Sequence, residues 1–249
     1  MIRYGLTVAS LVMAALGAGC TSVSHTQTAD TLGAGRYQIA IEPGLGGAAG
    51  FGEDGSVEGG VYPHFDLALR YGASERVDLG FRFGSSLVEF QSKFLLTQPN
   101  DPLKAISLAP SVSGAFMDGT WDDGEELSTN YVNLAVPLLV GFKTEGGSEL
   151  VLGPRVLWTH FSGDVGNDGT SVNIFSVGAS VGYAFRVTES FRLMPEVGFS
   201  YPVLGTVDSS TNDSIAFKGF NTGIAQLKLG FLFGGGRPIR RGPDILPAH

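Results

Sequence analysis

The stretch YVNLAVPLLVGFK, Tyr131 to Lys143, decides the fold. Its even positions, Val132, Leu134, Val136, Leu138, Val140 and Phe142, are all apolar. Its odd positions are Tyr131, Asn133, Ala135, Pro137, Leu139, Gly141 and Lys143. A period of two marks a strand, because successive side chains of an extended chain point to opposite sides. The apolar face lines either the core of a soluble protein or a lipid bilayer, and the rest of the chain decides between them.

Composition leans toward the bilayer. Of the 249 residues only 16% are charged while 43% are hydrophobic, and 37 are glycine. A soluble domain carries roughly 25% charged residues. The formal net charge of −8 and a pI near 4.9 exclude a nucleic-acid partner, which would call for clustered Lys and Arg.

The chain starts with one positive charge, Arg3, followed by the apolar run GLTVASLVMAALGAG and then Cys20-Thr21-Ser22. That pattern is a secretory signal over residues 1–19, too short for a membrane span. Cys20 is the only cysteine, so it has no intramolecular disulfide partner, and a free thiol in an oxidising compartment is a liability. Leu16-Gly17-Ala18-Gly19-Cys20 resembles a bacterial lipobox, although Gly17 stands where that pattern usually has Leu. The resemblance implies cleavage before Cys20, acylation of that residue and handling by the lipoprotein-sorting machinery. Thr21, where an inner-membrane retention signal would have Asp, is compatible with delivery to the outer membrane. Residues 20–35 are small and polar without apolar periodicity, which reads as a lipidated tether with His25 as a solvated residue.

Period-two segments then follow one another at 36–44, 59–72, 77–84, 88–97, 104–116, 131–144, 150–161, 172–186, 191–203 and 222–233. The connections at 73–76, 145–148 and 187–190 are tight, and that at 98–103 is only a little longer. Those at 45–58, 117–130, 162–171 and 204–221 are long and rich in Gly, Asp, Ser and Asn. Short turns alternating with long loops suit a barrel whose turns face the periplasm and whose loops face outside, with 85–87 the short exception. The polar strand faces are mostly Gly, Ser and Ala, which suits a narrow, crowded interior better than a water-exposed surface. With the first strand running outward, Tyr71, Phe142, Phe185, Phe191, Phe231 and Phe233 fall at one rim and Phe83, Phe116, Trp158 and Tyr201 at the other. Two aromatic girdles mark a bilayer-spanning barrel, so the face from Val132 to Phe142 meets lipid.

The expected fold is therefore all-β: a closed, antiparallel, up-and-down transmembrane β-barrel of about ten strands over residues 36–233. It resembles the small outer-membrane β-barrel proteins of Gram-negative bacteria. The resemblance implies outer-membrane lipid and the barrel-assembly machinery as partners, with Gln226–Phe233 as the final strand offered to that machinery. Residues 234–249, GGGRPIRRGPDILPAH, form a periplasmic tail beyond it, where family members commonly end on the aromatic.

Parity assigns Arg70, Arg82, Lys93, Arg155, Arg186 and Lys228 to the interior, opposed by Glu42, Asp66, Asp78 and Glu196, with His64 beside Asp66 at i, i+2. This is a polar network that fills a small lumen. His64 and Asp66 have base-catalyst spacing but no Ser or Cys partner. His160 and Asp164 loosely resemble the surface groups of omptin proteases, but the paired acidic spacing of that family has no match here, so no catalytic residue is carried over. The acidic loop with Asp118, Asp122, Asp123, Glu125 and Glu126 has Asp123 where an EF-hand needs glycine. Gly166-Asn167-Asp168-Gly169 is a turn signal. No cofactor or metal is assigned. The reading is a non-catalytic barrel lipoprotein with a structural or surface-interaction role and an unknown external partner; the alternatives are a narrow pore and a hydrolase acting on lipid A or peptides.

Overall fold

A computed structural model describes residues 23–51, 57–84, 88–120, 126–165, 168–209, 214–218 and 222–235. Its strands are β1 (Tyr37–Phe51), β2 (Val57–Gly72), β3 (Val77–Gly84), β4 (Val88–Leu95), β5 (Lys104–Leu108), β6 (Ser111–Thr120), β7 (Glu126–Lys143), β8 (Glu149–Leu152), β9 (Arg155–Val165), β10 (Asp168–Arg186), β11 (Phe191–Ser209), β12 (Ser214–Lys218) and β13 (Thr222–Gly234). Each pairs antiparallel with its neighbours, and β13 returns to β1 from Gln38↔Gly234 to Gly50↔Thr222. The ring closes through β13 and β1, so among the described residues the staves of the belt are each paired on both sides, while β12, above it, pairs with β11.

Thirteen segments make ten staves, because three staves are interrupted. β5 and β6 are one stave broken at Ala109-Pro110, both pairing with β7; β8 and β9 are another, broken at Gly153-Pro154. β12 and β13 both pair with β11. Proline has no N–H to give the ladder, which is why the first two breaks fall where they do. Both flank Pro137 of β7. The wall is held there by Ala109 N donating to Pro137 O at 3.0 Å and Leu138 N donating to Pro154 O at 2.9 Å.

The two faces separate as the periodicity predicts. On β7, Tyr131, Asn133, Ala135 and Leu139 are buried inward, while Leu134, Val136 and Phe142 are exposed on the outside. Phe65, Leu67, Leu69, Phe81, Phe90, Val177, Val197 and Leu227 continue the outer apolar belt around the ring. Tyr71, Phe142, Phe185 and Phe233 lie outward at the short-turn end, and Phe83, Phe116, Trp158 and Tyr201 outward toward the other. Such a belt, bounded by aromatics on a closed wall, spans a bilayer, and a single-chain barrel of this kind belongs to the outer membrane of a Gram-negative bacterium.

One expectation about length changes. The strands do not stop at residues 44, 116, 161 and 203 but run on to Phe51, Thr120, Val165 and Ser209. The extensions lie beyond the apolar belt and are rich in Gly, Ala, Ser, Thr and Asp; a regular hydrophobic period is lost there while backbone pairing is not. The wall is also uneven. β3 and β4 have 8 residues each, against 18 in β7 and 19 in β10 and β11, so the rim is low on the β3–β4 side.

Candidate functional site: an occupied lumen

The N-terminal segment is the main correction. Expected as a solvated tether, residues 23–32 lie inside the barrel, with Val23, Ser24, Thr26, Ala29 and Leu32 at 2% exposure or less. The chain enters at the short-turn end, where Gly35 N donates to Gly72 O at 2.8 Å, and rises past Asp78, Lys93 and Glu149 to Glu196 and Gln226. The wall makes room with glycine: a Cβ at Gly230 would fall 2.8 Å from Thr26 Cβ, and one at Gly198 would collide with the Val23 carbonyl.

Wall side chains hold this segment chiefly by its backbone. Gln226 Oε1 accepts Val23 N at 3.0 Å, Glu196 Oε1 accepts His25 N at 3.3 Å, Glu149 Oε1 accepts Ala29 N at 2.8 Å and Asp78 Oδ1 accepts Leu32 N at 3.0 Å. In the opposite sense Lys228 Nζ donates to Ser24 O at 3.1 Å, Lys93 Nζ to Thr28 O at 3.2 Å and Asp30 O at 2.7 Å, and Ser107 Oγ to Ala29 O. The segment has no regular secondary structure of its own, so its buried N–H and C=O groups depend on these partners. Three side chains add direct ties: Asp30 Oδ2 to Lys143 Nζ at 2.6 Å, Thr31 Oγ1, which donates to Glu75 O at 2.9 Å, and His25 Nδ1, 2.8 Å from Arg82 Nη1.

Around the middle of the lumen stands the ionic storey. Glu42, with no exposed surface, faces Arg70 at 3.1 Å, Arg82 at 3.4 Å and Lys228 at 3.7 Å. Asp66 Oδ2 takes both Lys228 Nζ and His64 Nε2 at 2.7 Å. Lys93 meets Asp78 at 2.9 Å, and Arg155 lies 3.9 Å from Glu196 while donating to Ser180 Oγ at 2.6 Å. The strands position these groups by parity: β1, β2, β3, β4 and β13 each turn every second residue inward, and their registers bring Glu42, Asp66, Arg82 and Lys228 to one height. Buried carboxylates and cations are here nearly matched, the arrangement that burial of charge demands.

Arg186 does not join this network. It sits opposite Arg192 in the β10–β11 register, beside a cavity of about 370 Å³ at the short-turn mouth, and has no ion pair among the described residues. Two members escaped the sequence reading. Glu89 lies 3.3 Å from Arg82 and 3.5 Å from His25, and its shared parity with Lys93 was a usable signal. Glu149, 3.9 Å from Arg192, sits at a strand end where parity is hard to read.

The catalytic candidates are separated. His64 is buried at 4% exposure with Asp66 as its partner, inside the filled lumen. His160 faces outward instead: it stacks on Trp158 with ring centroids 5.9 Å apart, and its Nδ1 lies 2.9 Å from Asn173 Oδ1. Asp164 is a β9 residue paired with Ser128 and Gly169, and its side chain is outside the described part of the structure. Also outside it are Cys20, residues 121–125 of the acidic loop, Gly166, Asn167 and the tail from 236 onward. Among the described residues no three His, Cys, Asp or Glu side chains come together as a metal site. In the turn between β4 and β5 Asp101 Oδ1 accepts Leu103 N at 2.9 Å and Lys104 N at 3.1 Å, and these two bonds hold its carboxyl below the ordinary carboxylate range.

No protein-family model matches the chain, and no curated protein sequence does. Among solved structures, the outer membrane protease OmpT of Escherichia coli overlaps with a TM-score of 0.49 at 9% identity, covering 80% of this chain and 96% of that one. Neisserial surface protein A overlaps with a TM-score of 0.42 at 12% identity, covering 79% and 96%. The translocator domain of the autotransporter NalP of Neisseria meningitidis gives 0.44 at 13% identity, covering 93% and 96%. These are likenesses of shape between barrels; fold and function are read from this chain's own wall and lumen.

Proposed function

We propose that the protein is a non-catalytic, surface-interaction barrel of the outer membrane, closed to solutes and presenting its outer strand extensions and loops to an external partner. One observation carries the reading: residues 23–32 occupy the lumen, and wall side chains grip them from several staves. A ten-stranded lumen is narrow to begin with, and side chains alone go far toward filling it. Purified protein in planar bilayers is expected to pass little current; large, reproducible single-channel currents from the unmodified chain would favour the pore instead. A tag near Gly124 should be reachable on intact cells and one beside Gly147, in a periplasmic turn, should not.

Acylation of Cys20 belongs to the same proposal. Mass spectrometry of the mature N-terminus checks the modification, and unchanged processing of Cys20→Ser would refute it. The assembly and sorting machineries are the proposed transient partners. Lipid A profiling and a peptide-cleavage screen, with and without the protein, test the absence of catalysis, and activity lost on His160→Ala would reverse it.

A further inference from the structure

The lumen recognises its occupant in an uneven way. Backbone N–H groups of Val23, His25, Ala29 and Leu32 and backbone carbonyls of Ser24, Thr28, Ala29 and Asp30 are all met by wall side chains. By contrast, the buried Thr26 hydroxyl and both polar atoms of the Gln27 amide have no hydrogen-bond partner among the described residues. A wall built to read this particular sequence would have met the Gln27 amide, which offers two donors and an acceptor. Instead Glu149, Asp78 and Glu196 accept N–H groups and Lys93 bridges two carbonyls across the bend at Ala29-Asp30, contacts that a backbone following this path supplies whatever its side chains.

We propose that the lumen is a binding site for extended polypeptide, read through its backbone, with residues 23–32 as the resident occupant. It accepts other extended segments whose side chains are small at the places of Thr26 and Ala29, where Gly230 and Gly141 bring the wall close. Side-chain identity enters through size at those two places and through the His25, Asp30 and Thr31 ties. Charged wall groups suit the task, since a carboxylate or an ammonium group makes a stronger bond to an amide than a neutral group does. This inference rests on the filled-lumen reading, yet the two fail differently. A conducting barrel whose segment amides are still protected removes the closed-barrel function and leaves the binding site standing.

The test uses the full chain. Residues 23–32 are replaced by a permuted order of the same residues, keeping small residues at 26 and 29. Hydrogen exchange is read at the amides of positions 29 and 32 in detergent-solubilised protein. The expected result is protection within about tenfold of the parent, and a loss of more than about a hundredfold would overturn the proposal. A second arm places a specific protease site between the exposed Ala34 and Gly35, cuts after folding, and offers labelled synthetic peptides. The permuted peptide should replace the resident segment at a concentration within about tenfold of that needed by the parent sequence, while N-methylation at Ala29 and Leu32 should raise it at least about a hundredfold. Exchange of the parent peptide alone, or of no peptide, would overturn the proposal.

Discussion

Neighbouring residues of β7 face different media. Val136 points out into lipid and Ala135 points in toward the lumen, and the same division runs around the whole wall. On the outside, what matters is that a side chain is apolar. Its neighbours are lipid chains, which adapt to shape, so one aliphatic residue replaces another at small cost. On the inside each polar group depends on a particular partner at a particular height, and Glu42 illustrates it: three cations from β2, β3 and β13 converge on one carboxylate. The outer face is specified by a pattern, the inner face by a set of distances.

That contrast is open to direct attack. The largest effect is expected from Glu42→Ala, which leaves Arg70, Arg82 and Lys228 buried without their shared counter-charge. About 3–5 kcal/mol of stability should be lost, read as the urea midpoint of unfolding in detergent. A loss below about 1 kcal/mol would mean the network is solvated and the inside is no more demanding than the outside. Val136→Arg, which puts a charge on the lipid face near mid-belt, should cost about 2–4 kcal/mol in lipid vesicles. It should cost less in detergent, whose micelle reshapes around a charge; equal losses in both media would point to damage inside the wall.

Glu149→Ala sharpens the inner half of the comparison. It removes the acceptor of the Ala29 N–H, and about 1–3 kcal/mol should be lost from seating of the segment. The readout is faster proteolysis between residues 23 and 32, with the barrel's own unfolding midpoint moving less; an unchanged cleavage rate would show that this bond does not hold the segment. The smallest effect belongs to Val136→Leu, expected within about 1.5 kcal/mol because the volume change is met by lipid. A larger loss would show that the outer face carries specific packing after all.

The legibility of the two faces follows the same division. The outer face needed only the period: Val132 to Phe142 and Phe65 to Tyr71 were visible as alternations, and the barrel followed from repeating them. The inner face was half visible. Parity pointed Arg70, Arg82, Lys93, Arg155, Glu196 and Lys228 inward, but pairing depends on register across the ring, so Glu89 went unnoticed and Arg186 was grouped with partners it does not meet. Strand ends were misplaced outward of the belt, because Gly-rich extensions such as that from Gly44 to Phe51 pair through backbone without a hydrophobic period.

By itself, then, the sequence determined the wall. Alternation sets which side chains meet lipid, aromatic residues set the height of the belt, and tight turns set strand order, all of them local properties that period and turn chemistry record. Only the tertiary structure decided what fills the wall. Residues 23–35 are small, polar and aperiodic, the description of a tether, and nothing local tells a solvated segment from one gripped by Glu149, Asp78, Lys93 and Glu196. Every residue carries the backbone N–H and C=O groups that do the binding, so they leave no trace in side-chain composition. Their partners come from β3, β4, β8 and β11, which are brought to one lumen only when β13 closes on β1.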